Sequence, residues 1–175
     1  MSTQTTLVLL KPDAIKRSLA GPVLTKLEEA KLLLIAARLR HVSVELAREH
    51  YAQHVGKPFF PQLLDYITGK LHGAPYDRVF ALVYEGENAI QKIRTLSGDT
   101  NPEKANPDTI RGMFGRITTA GVFENVVHAS ANPKEAEREI KLWFQPEEIL
   151  QAIYPTKQEG DHRVWKHIPA LEELV

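Results

Sequence analysis

The segment TLVLLKPDAIKR, residues 6–17, opens with a short apolar run that stops at a lysine and a proline. Two further apolar runs, LLLIAARL at 32–39 and VFALVY at 79–84, share its lack of regular alternation. A strand with one face in water alternates apolar and polar residues. These three runs instead predict strands of a sheet that is covered on both faces.

Amphipathic stretches between the runs predict helices. Their apolar positions recur at helical spacing: Val23, Leu27 and Ala30 in the first stretch, and Val44, Ala47, Tyr51 and Val55 in the second. Ser43 is the predicted N-cap of the second helix, and Gly69 and Gly98 close two later helices. Strands and helices are therefore expected to alternate along the chain.

A fourth strand is predicted at FENVVHA, residues 123–129. After it, Asn132 is the predicted N-cap and Pro133 the first residue of a helix. The buried face of this helix is formed by Ala136, Ile140 and Trp143. The resulting order of elements predicts an α+β fold, a ferredoxin-like split βαβ antiparallel sheet with added helices.

Composition limits the classes of protein to which the chain can belong. Its 175 residues are 43% hydrophobic, which suits a single domain, and its 22 basic and 22 acidic residues balance. No overall field recruits nucleic acid or an anionic membrane, so an anion site must be a local cluster. The absence of cysteine excludes disulfides and thiolate catalysis and fits a reducing compartment. With no signal segment or membrane-spanning apolar run, we expect a cytoplasmic protein.

Common phosphate-binding and metal-binding signatures are missing from the sequence. It contains no Walker loop, no G-x-G-x-x-G and no H-E-x-x-H. His50 and His54 lie one helical turn apart in HYAQH, a spacing that could chelate zinc, but no third ligand is near them in the sequence. An exposed or partly packed histidine pair is the alternative, and the sequence predicts no metal ligands of the protein's own.

Several polar residues are ambiguous when each is considered alone. Lys11 either lies in solvent at a strand end or leans over that end, and Tyr51 also fits a packed tyrosine with a wet hydroxyl. Arg94 and Arg111 flank a polar stretch in which arginines are often simply solvated. His128 is either a core histidine or a nucleophile at the mouth of a pocket. The combination of these residues decides between the readings.

Four motifs carry that combination: TLVLLKPDAIKR, HYAQHVGKPFFPQL, GDTNP with PDTIRG, and NVVHAS with EAEREIKLWF. In this order they resemble the nucleoside diphosphate kinase family, over roughly residues 5–150. The resemblance implies a ferredoxin-like core and a kinase that passes the γ-phosphate of a nucleoside triphosphate to a nucleoside diphosphate. It also implies a ping-pong mechanism through a phosphohistidine, with Mg²⁺ bound mainly through the nucleotide phosphates.

The resemblance assigns roles residue by residue. His128 is the expected nucleophile, Glu139 the carboxylate that orients its imidazole, and Tyr51 the hydroxyl near the reacting phosphate. The expected phosphate ligands are Arg94, Thr100 and Arg111. The remaining expected nucleotide contacts are Lys11 and Asn125 at the sugar, with Lys11 also reaching the phosphates, Phe59 and Leu63 at the base, and Ser130. Phe59 is free for this role because Phe60, Leu64 and Ile67 already form the core stripe of their helix.

The chain departs from the family pattern at several positions. Ala129 and Ala131 stand in ASAN where the family usually has Gly-Ser-Asp, and Gln53 stands where an acidic residue is usual. Residues 68–78 are an insertion, and the segment between Arg111 and His128 is longer by about four residues. These departures motivate an alternative from another class, a degenerate family member that binds nucleotide as a regulatory or assembly module.

Two further expectations concern domains and assembly. Residues 1–150 are the predicted catalytic domain, and 151–175 a C-terminal extension that packs Trp165, Ile168 and Leu171 onto its own or a neighbouring subunit. A sheet face not covered by the chain's own helices would be buried against a second copy, so we expect at least a dimer. Family members are homo-oligomers built from dimers, and the longer loop could prevent higher assembly. Nucleoside di- and triphosphates are the other expected partners, with no specific nucleic acid and no membrane.

Overall fold

The protein is represented by a computed structural model that describes residues 3–169. The strands are β1 (Thr3–Leu10), β2 (Leu33–His41), β3 (Arg78–Glu87), β4 (Arg116–Ile117), β5 (Phe123–Glu124), β6 (Val127–Ala129), β7 (Thr156–Glu159) and β8 (His162–Trp165). The helices are α1 (Pro12–Lys16), α2 (Ala20–Leu27), α3 (Val44–His50), α4 (Phe60–Ile67), α5 (Ala89–Ser97), α6 (Ile110–Phe114) and α7 (Pro133–Trp143). The described chain also contains three short 3₁₀ turns: Glu28–Ala30, Ala52–His54 and Pro146–Glu148.

The main sheet has the strand order β2-β3-β1-β6, and every neighbouring pair is antiparallel. β1 lies in the middle, where Leu9 pairs with His128 of β6 and Leu7 pairs with Val83 of β3. This arrangement confirms the predicted antiparallel ferredoxin-like sheet with added helices. It also places the end of β1 beside β6, which brings Lys11 close to the segment that precedes His128.

Each face of the central strands has its own apolar core. Leu7 and Leu9 belong to a cluster with residues of α3, α4 and α7, whereas Val8 and Leu10 belong to a cluster with residues of α1, α2, α5 and α6. The chain's own helices thus cover both faces of the central strands. The edge strand β2 is not covered in the same way, because its Leu33 and Leu39 side chains are exposed.

The helix after Ser43 begins as predicted and ends earlier than expected. The Ser43 side chain accepts a hydrogen bond from Leu46 N over 3.1 Å, which confirms the N-cap. The helix stops at His50, so Val55 does not continue its buried face and is exposed; Val44, in the first turn, is exposed as well. The buried side consists of Leu46, Ala47, His50 and Tyr51.

The predicted fourth strand is broken into β5 and β6 at Val126, whose φ of 68° is left-handed. This φ is strained for a β-branched residue. The backbone of Val126 is held on both sides, since its N–H donates to Asp13 Oδ2 over 3.1 Å and its carbonyl accepts from Lys11 N over 2.9 Å. The kink interrupts the strand pattern next to Asn125 and directly before β6.

The end of the described chain packs on the same protomer. β7 and β8 form an antiparallel hairpin, and Trp165 is buried in the cluster that contains Trp143. The Trp165 indole donates a hydrogen bond to Phe144 O over 2.8 Å. The expected packing of Ile168 is not seen within this protomer, where the residue is 44% exposed, and Leu171 lies outside the described residues. No helix within residues 3–169 has the length and apolar content needed to cross a membrane.

Candidate active site

A cleft of about 790 Å³ brings together ten of the eleven predicted site residues. They come from separate elements and loops around the ends of β1 and β6: Lys11, Tyr51, Phe59, Leu63, Arg94, Thr100, Arg111, Asn125, His128 and Glu139. The packing of helices and loops around one end of the sheet thus forms a single concave site from residues that are scattered in sequence.

His128 lies in β6, and its side chain is 16% exposed. Its Nε2 atom lies 2.9 Å from Oε1 of Glu139, although the contact lacks the geometry of a hydrogen bond. The two side chains therefore interact electrostatically across a short distance. It engages one ring nitrogen and leaves the other, Nδ1, available to a reaction partner.

Glu139 is a buried carboxylate on α7, 1% exposed, beside Arg138 in the middle of the helix. Burial by itself raises the pKa of this carboxyl. The nearby rings of His128 and His50 and the hydrogen bond from Ser130 outweigh burial and lower the pKa of Glu139 to about 2. The side chain is therefore an anion at neutral pH.

Ser130 is the one predicted nucleotide ligand that does not line the cleft. It is fully buried, and its Oγ donates to Glu139 Oε2 over 2.6 Å and accepts from Leu7 N over 3.1 Å. Both contacts join Ser130 to the protein behind the cleft. The prediction of a direct nucleotide contact is corrected accordingly: Ser130 braces the carboxylate of Glu139.

Lys11 is 5% exposed, which excludes the reading as a solvated strand end. Its ammonium donates to Asn125 Oδ1 over 2.6 Å, and the Asn125 amide in turn donates to Thr100 O over 2.9 Å. Burial, followed by the charge of Arg111, lowers the pKa of Lys11 to about 7, against the opposing effect of Asp13. The lysine therefore gains stabilisation from any anion that enters the cleft.

Two arginines add positive charge to the cleft wall. Arg111 is held by two backbone carbonyls, with Nη1 donating to Gly98 O over 2.7 Å and Nη2 donating to Val127 O over 3.0 Å. Burial and the neighbouring Arg94 lower the pKa of Arg111. A chain without net charge thus concentrates cations in one concave place, which suits a polyphosphate.

The outer part of the cleft is apolar and aromatic. Phe59 is 50% exposed whereas Phe60 is 6% exposed, as expected from the core stripe of α4. The ring of His54 lies 5.4 Å from that of Phe59. Phe59, Leu63 and His54 all line the cleft, so a flat ring can be held there by stacking.

Two residues beside the predicted site, Tyr66 and His50, were missed by sequence reasoning. Tyr66 donates to Asp13 Oδ1 over 2.7 Å, and the Lys11 ammonium lies 5.2 Å from the centre of the Tyr66 ring. His50 was considered only as a partner of His54 for zinc, yet it is fully buried against His128. The spacing of Tyr66 three residues after Leu63, on one helix face, was a signal that could have identified it.

Comparison with known proteins identifies the chain. Residues 4–149 match the family model described as Nucleoside diphosphate kinase. The chain belongs to the nucleoside diphosphate kinase family. It is 46% identical over 146 residues to the nucleoside diphosphate kinase of Bacillus licheniformis, covering 83% of this chain and 91% of that protein. It is 47% identical over 145 residues to the enzyme of Archaeoglobus fulgidus, covering 83% and 89%.

Solved structures of nucleoside diphosphate kinases have the same fold. The enzyme of Halobacterium salinarum in complex with CDP is 36% identical, with a TM-score of 0.76 over 87% of this chain and 94% of that chain. A transition state mimic of the Borrelia burgdorferi enzyme, with vanadate and ADP, is 34% identical, with a TM-score of 0.75 over 86% and 92%.

Family membership confirms the predicted activity. As a nucleoside diphosphate kinase, the protein is a nucleotide-binding transferase that moves a phosphate from a nucleoside triphosphate to a nucleoside diphosphate. The alternative, a degenerate binding module, receives no support from these comparisons. A nucleotide kinase is also consistent with a divalent metal ion.

Proposed function

We propose that His128 accepts the γ-phosphate on Nδ1 and passes it to a second nucleotide in a ping-pong reaction. The observation that carries this proposal is the 2.9 Å contact between His128 Nε2 and Glu139, which leaves Nδ1 available at the cleft. A neutral imidazole with one nitrogen held by a carboxylate and the other bare is the state a nucleophilic histidine needs.

The transfer is balanced without an external base. The Nδ1 lone pair forms the N–P bond while the bond from phosphorus to the bridging oxygen breaks, and the departing diphosphate keeps that electron pair. The imidazole of His128 becomes positive as the bond forms. Glu139, ionised beside Nε2, offsets this charge, and attack by a second nucleoside diphosphate reverses the sequence.

The cationic wall binds the phosphates during this exchange. Lys11, Arg94 and Arg111 offset the charge that spreads over the transferring group, and Thr100 offers a hydroxyl. The Tyr51 hydroxyl is buried and has no hydrogen-bond partner within residues 3–169, and burial raises its pKa. It therefore keeps its proton and can donate to the reacting phosphate.

The base is bound at the apolar mouth of the cleft, and the sugar lies between the base and the cationic wall. Lys11 and Asn125, already joined by a hydrogen bond, face the position of the sugar hydroxyls. The base stacks between Phe59 and Leu63 at the apolar mouth. Solved relatives are described in complex with CDP and with ADP and vanadate, which supports a nucleotide as the ligand of this cleft.

The donors of the cleft fit a nucleotide that carries Mg²⁺ on its phosphates. Glu139 is already engaged by Ser130 and His128, and the lining of the cleft is cationic around Lys11 and Arg111. Such a set binds phosphate oxygens and offers no carboxylate cage for a cation. When bound, the ion supplies further neutralisation of the phosphate charge.

We also propose self-association to at least a dimer. The exposed edge strand β2, with Leu33 and Leu39 59% and 61% exposed, is the surface that supports it. The described part of the extension, residues 151–169, then packs on its own subunit, as the buried Trp165 indicates. Light scattering at micromolar concentration measures the assembly, and a stable monomer would refute the dimer.

The expected location of the protein in the cell follows from its proposed substrates and its composition. The cysteine-free sequence fits a reducing compartment, and the proposed partners are free nucleotides and not nucleic acid. We infer that the protein works in the cytoplasm. Cell fractionation with an antibody against the chain tests this location, and recovery only with membranes would contradict it.

Labelling with radioactive ATP and Mg²⁺ tests the proposed chemistry. The wild type should acquire an acid-labile, alkali-stable label, which His128→Ala should lose. His162→Ala, a change of an exposed hairpin residue, is the matched control and should label normally. An unlabelled wild type would refute the phosphohistidine, and full labelling of His128→Ala would refute its assignment.

A further inference from the structure

His50 is a buried, titratable group for which the proposed transfer has no use. It ends α3 and is fully buried, with its ring 4.5 Å from the His128 ring and 5.5 Å from the Trp143 ring, both edge to face. Arg138 anchors the backbone there by donating to His50 O over 3.0 Å. The ring is therefore held in one place directly behind His128.

Trp143 determines where the proton of His50 lies. The indole Nε1–H of Trp143 donates to His50 Nδ1 over 3.2 Å. An indole nitrogen is a donor only, so Nδ1 must be the acceptor and the proton of a neutral ring must be on Nε2. Burial lowers the pKa of His50 well below its usual range. The charges of His128, Arg138 and Lys11 lower it further, against the opposing charge of Glu139, so the ring is neutral.

The Nε2–H of His50 lies in a buried polar group. His50 Nε2 has no hydrogen-bond partner within residues 3–169. One ring nitrogen of His50, one of His128 and one carboxylate oxygen of Glu139 lie within 4.8 Å of one another. Such spacing could hold a metal ion, but a nitrogen that carries a proton cannot be a ligand. Glu139 is the anion of this group, so it is the acceptor that we assign to this N–H.

We propose that His50 is a positioning residue, which presents Nε2–H to the Glu139–His128 pair in a tautomer fixed by Trp143. This inference rests on the proposed function of His128. A neutral donor stabilises the Glu139 anion without adding a second positive charge beside the imidazolium that forms during transfer. It also packs against the His128 ring and limits its rotation, so that Nδ1 stays directed to the cleft.

Nitrogen NMR of the wild-type protein tests the tautomer without any substitution. The ¹⁵N shifts of the His50 ring should show a proton on Nε2 and none on Nδ1 between about pH 6 and pH 8. Trp143→Phe should release this preference and give a mixture of tautomers. A wild-type ring protonated on Nδ1, or zinc binding that His50→Gln abolishes, would overturn the inference.

Single-turnover labelling by ATP tests the positioning role. His50→Phe keeps a buried ring but has no N–H, so its phosphorylation rate should fall by roughly 10- to 100-fold with unchanged nucleotide affinity. The pH at which labelling of His50→Phe is half-maximal should also differ from that of the wild type. His50→Gln, which retains an N–H donor, should recover part of the labelling rate. A folded His50→Phe with wild-type rate and midpoint would refute the role of His50. Because the wild type still labels in that case, the phosphohistidine proposal would stand.

Discussion

The ammonium of Lys11 donates a hydrogen bond to Oδ1 of Asn125 over 2.6 Å, which joins the end of β1 to the kinked segment before β6. Both side chains are 5% exposed. A cation is thus stored in the wall of the cleft with an amide as partner instead of a carboxylate. The Lys11 ammonium is held in position by this hydrogen bond, and its positive charge is only partly offset until an anion enters the cleft.

Nucleotide binding should therefore take up a proton above neutral pH. Burial lowers the pKa of Lys11 to about 7, so the free enzyme has largely lost this proton at pH 8, and bound phosphates favour its return. Calorimetry in buffers of different ionisation enthalpy should show uptake at pH 8 and much less at pH 6. Lys11→Arg, always charged, should abolish the uptake. Equal uptake by that variant would assign the proton to another group.

Removal of the Ser130 hydroxyl should weaken both the fold and the chemistry. Ser130→Ala leaves Glu139 Oε2 and Leu7 N without a buried partner, which costs about 1–3 kcal/mol in unfolding free energy. The pKa of Glu139 should rise and single-turnover labelling should slow. Thr68→Ala is the control, because the Thr68 hydroxyl at the end of α4 donates only locally, to backbone oxygens such as Leu64 O, and does not contact Glu139. Wild-type labelling by Ser130→Ala would show that Glu139 needs no brace.

Glycine should be better tolerated than alanine at Val126. Alanine loses the side chain of Val126 and keeps the strain of φ 68°, whereas glycine loses the side chain and the strain together. We expect Val126→Gly to be about 1 kcal/mol more stable than Val126→Ala by urea denaturation. At Val127, in regular strand β6, the order should be the usual one, with alanine more stable. The same order at both positions would show that the kink stores no strain.

Stacking at Phe59 should give weak selectivity among bases. Apolar contact discriminates by only about 1–3 kcal/mol, so ATP, GTP, CTP and UTP should all act as donors. Phe59→Ala should weaken all four by about 1–3 kcal/mol, and Leu71→Ala, exposed and away from the cleft, should weaken none. Steady-state kinetics with each nucleotide measures this. A preference beyond roughly a thousandfold for one base would exceed what stacking supplies.

The Trp165 side chain should contribute to global stability. It is 8% exposed and hydrogen-bonded to Phe144 O, so Trp165→Ala should lower the unfolding free energy by about 3–5 kcal/mol. Trp165→Phe keeps part of the packing and should lose less. Leu150→Ala, at a position 88% exposed, should stay within about 0.5 kcal/mol of the wild type. An unchanged melting curve for Trp165→Ala would show that the hairpin stabilises nothing.

The sequence alone determined those features that depend on neighbouring residues. Ser43 and Asn132 cap their helices because a short polar side chain reaches the backbone N–H three residues later, which any chain with that local order can achieve. The apolar runs predicted the strands of the main sheet, because they too depend only on the order of neighbouring residues. The order of the motifs was then enough to predict the family and the activity, since several motifs in one order are together much more specific for a family than any single motif.

Only the tertiary structure decided what each polar side chain does in the site. Glu139 and Ser130 look like surface residues in sequence, yet both are buried because α7 packs against β1 of the sheet. The kink at Val126 depends on Asp13, and the tautomer of His50 depends on Trp143, partners that lie 113 and 93 positions away. Burial and hydrogen-bond partners are properties of the packed elements. Local sequence cannot encode them, because they exist only when distant segments meet.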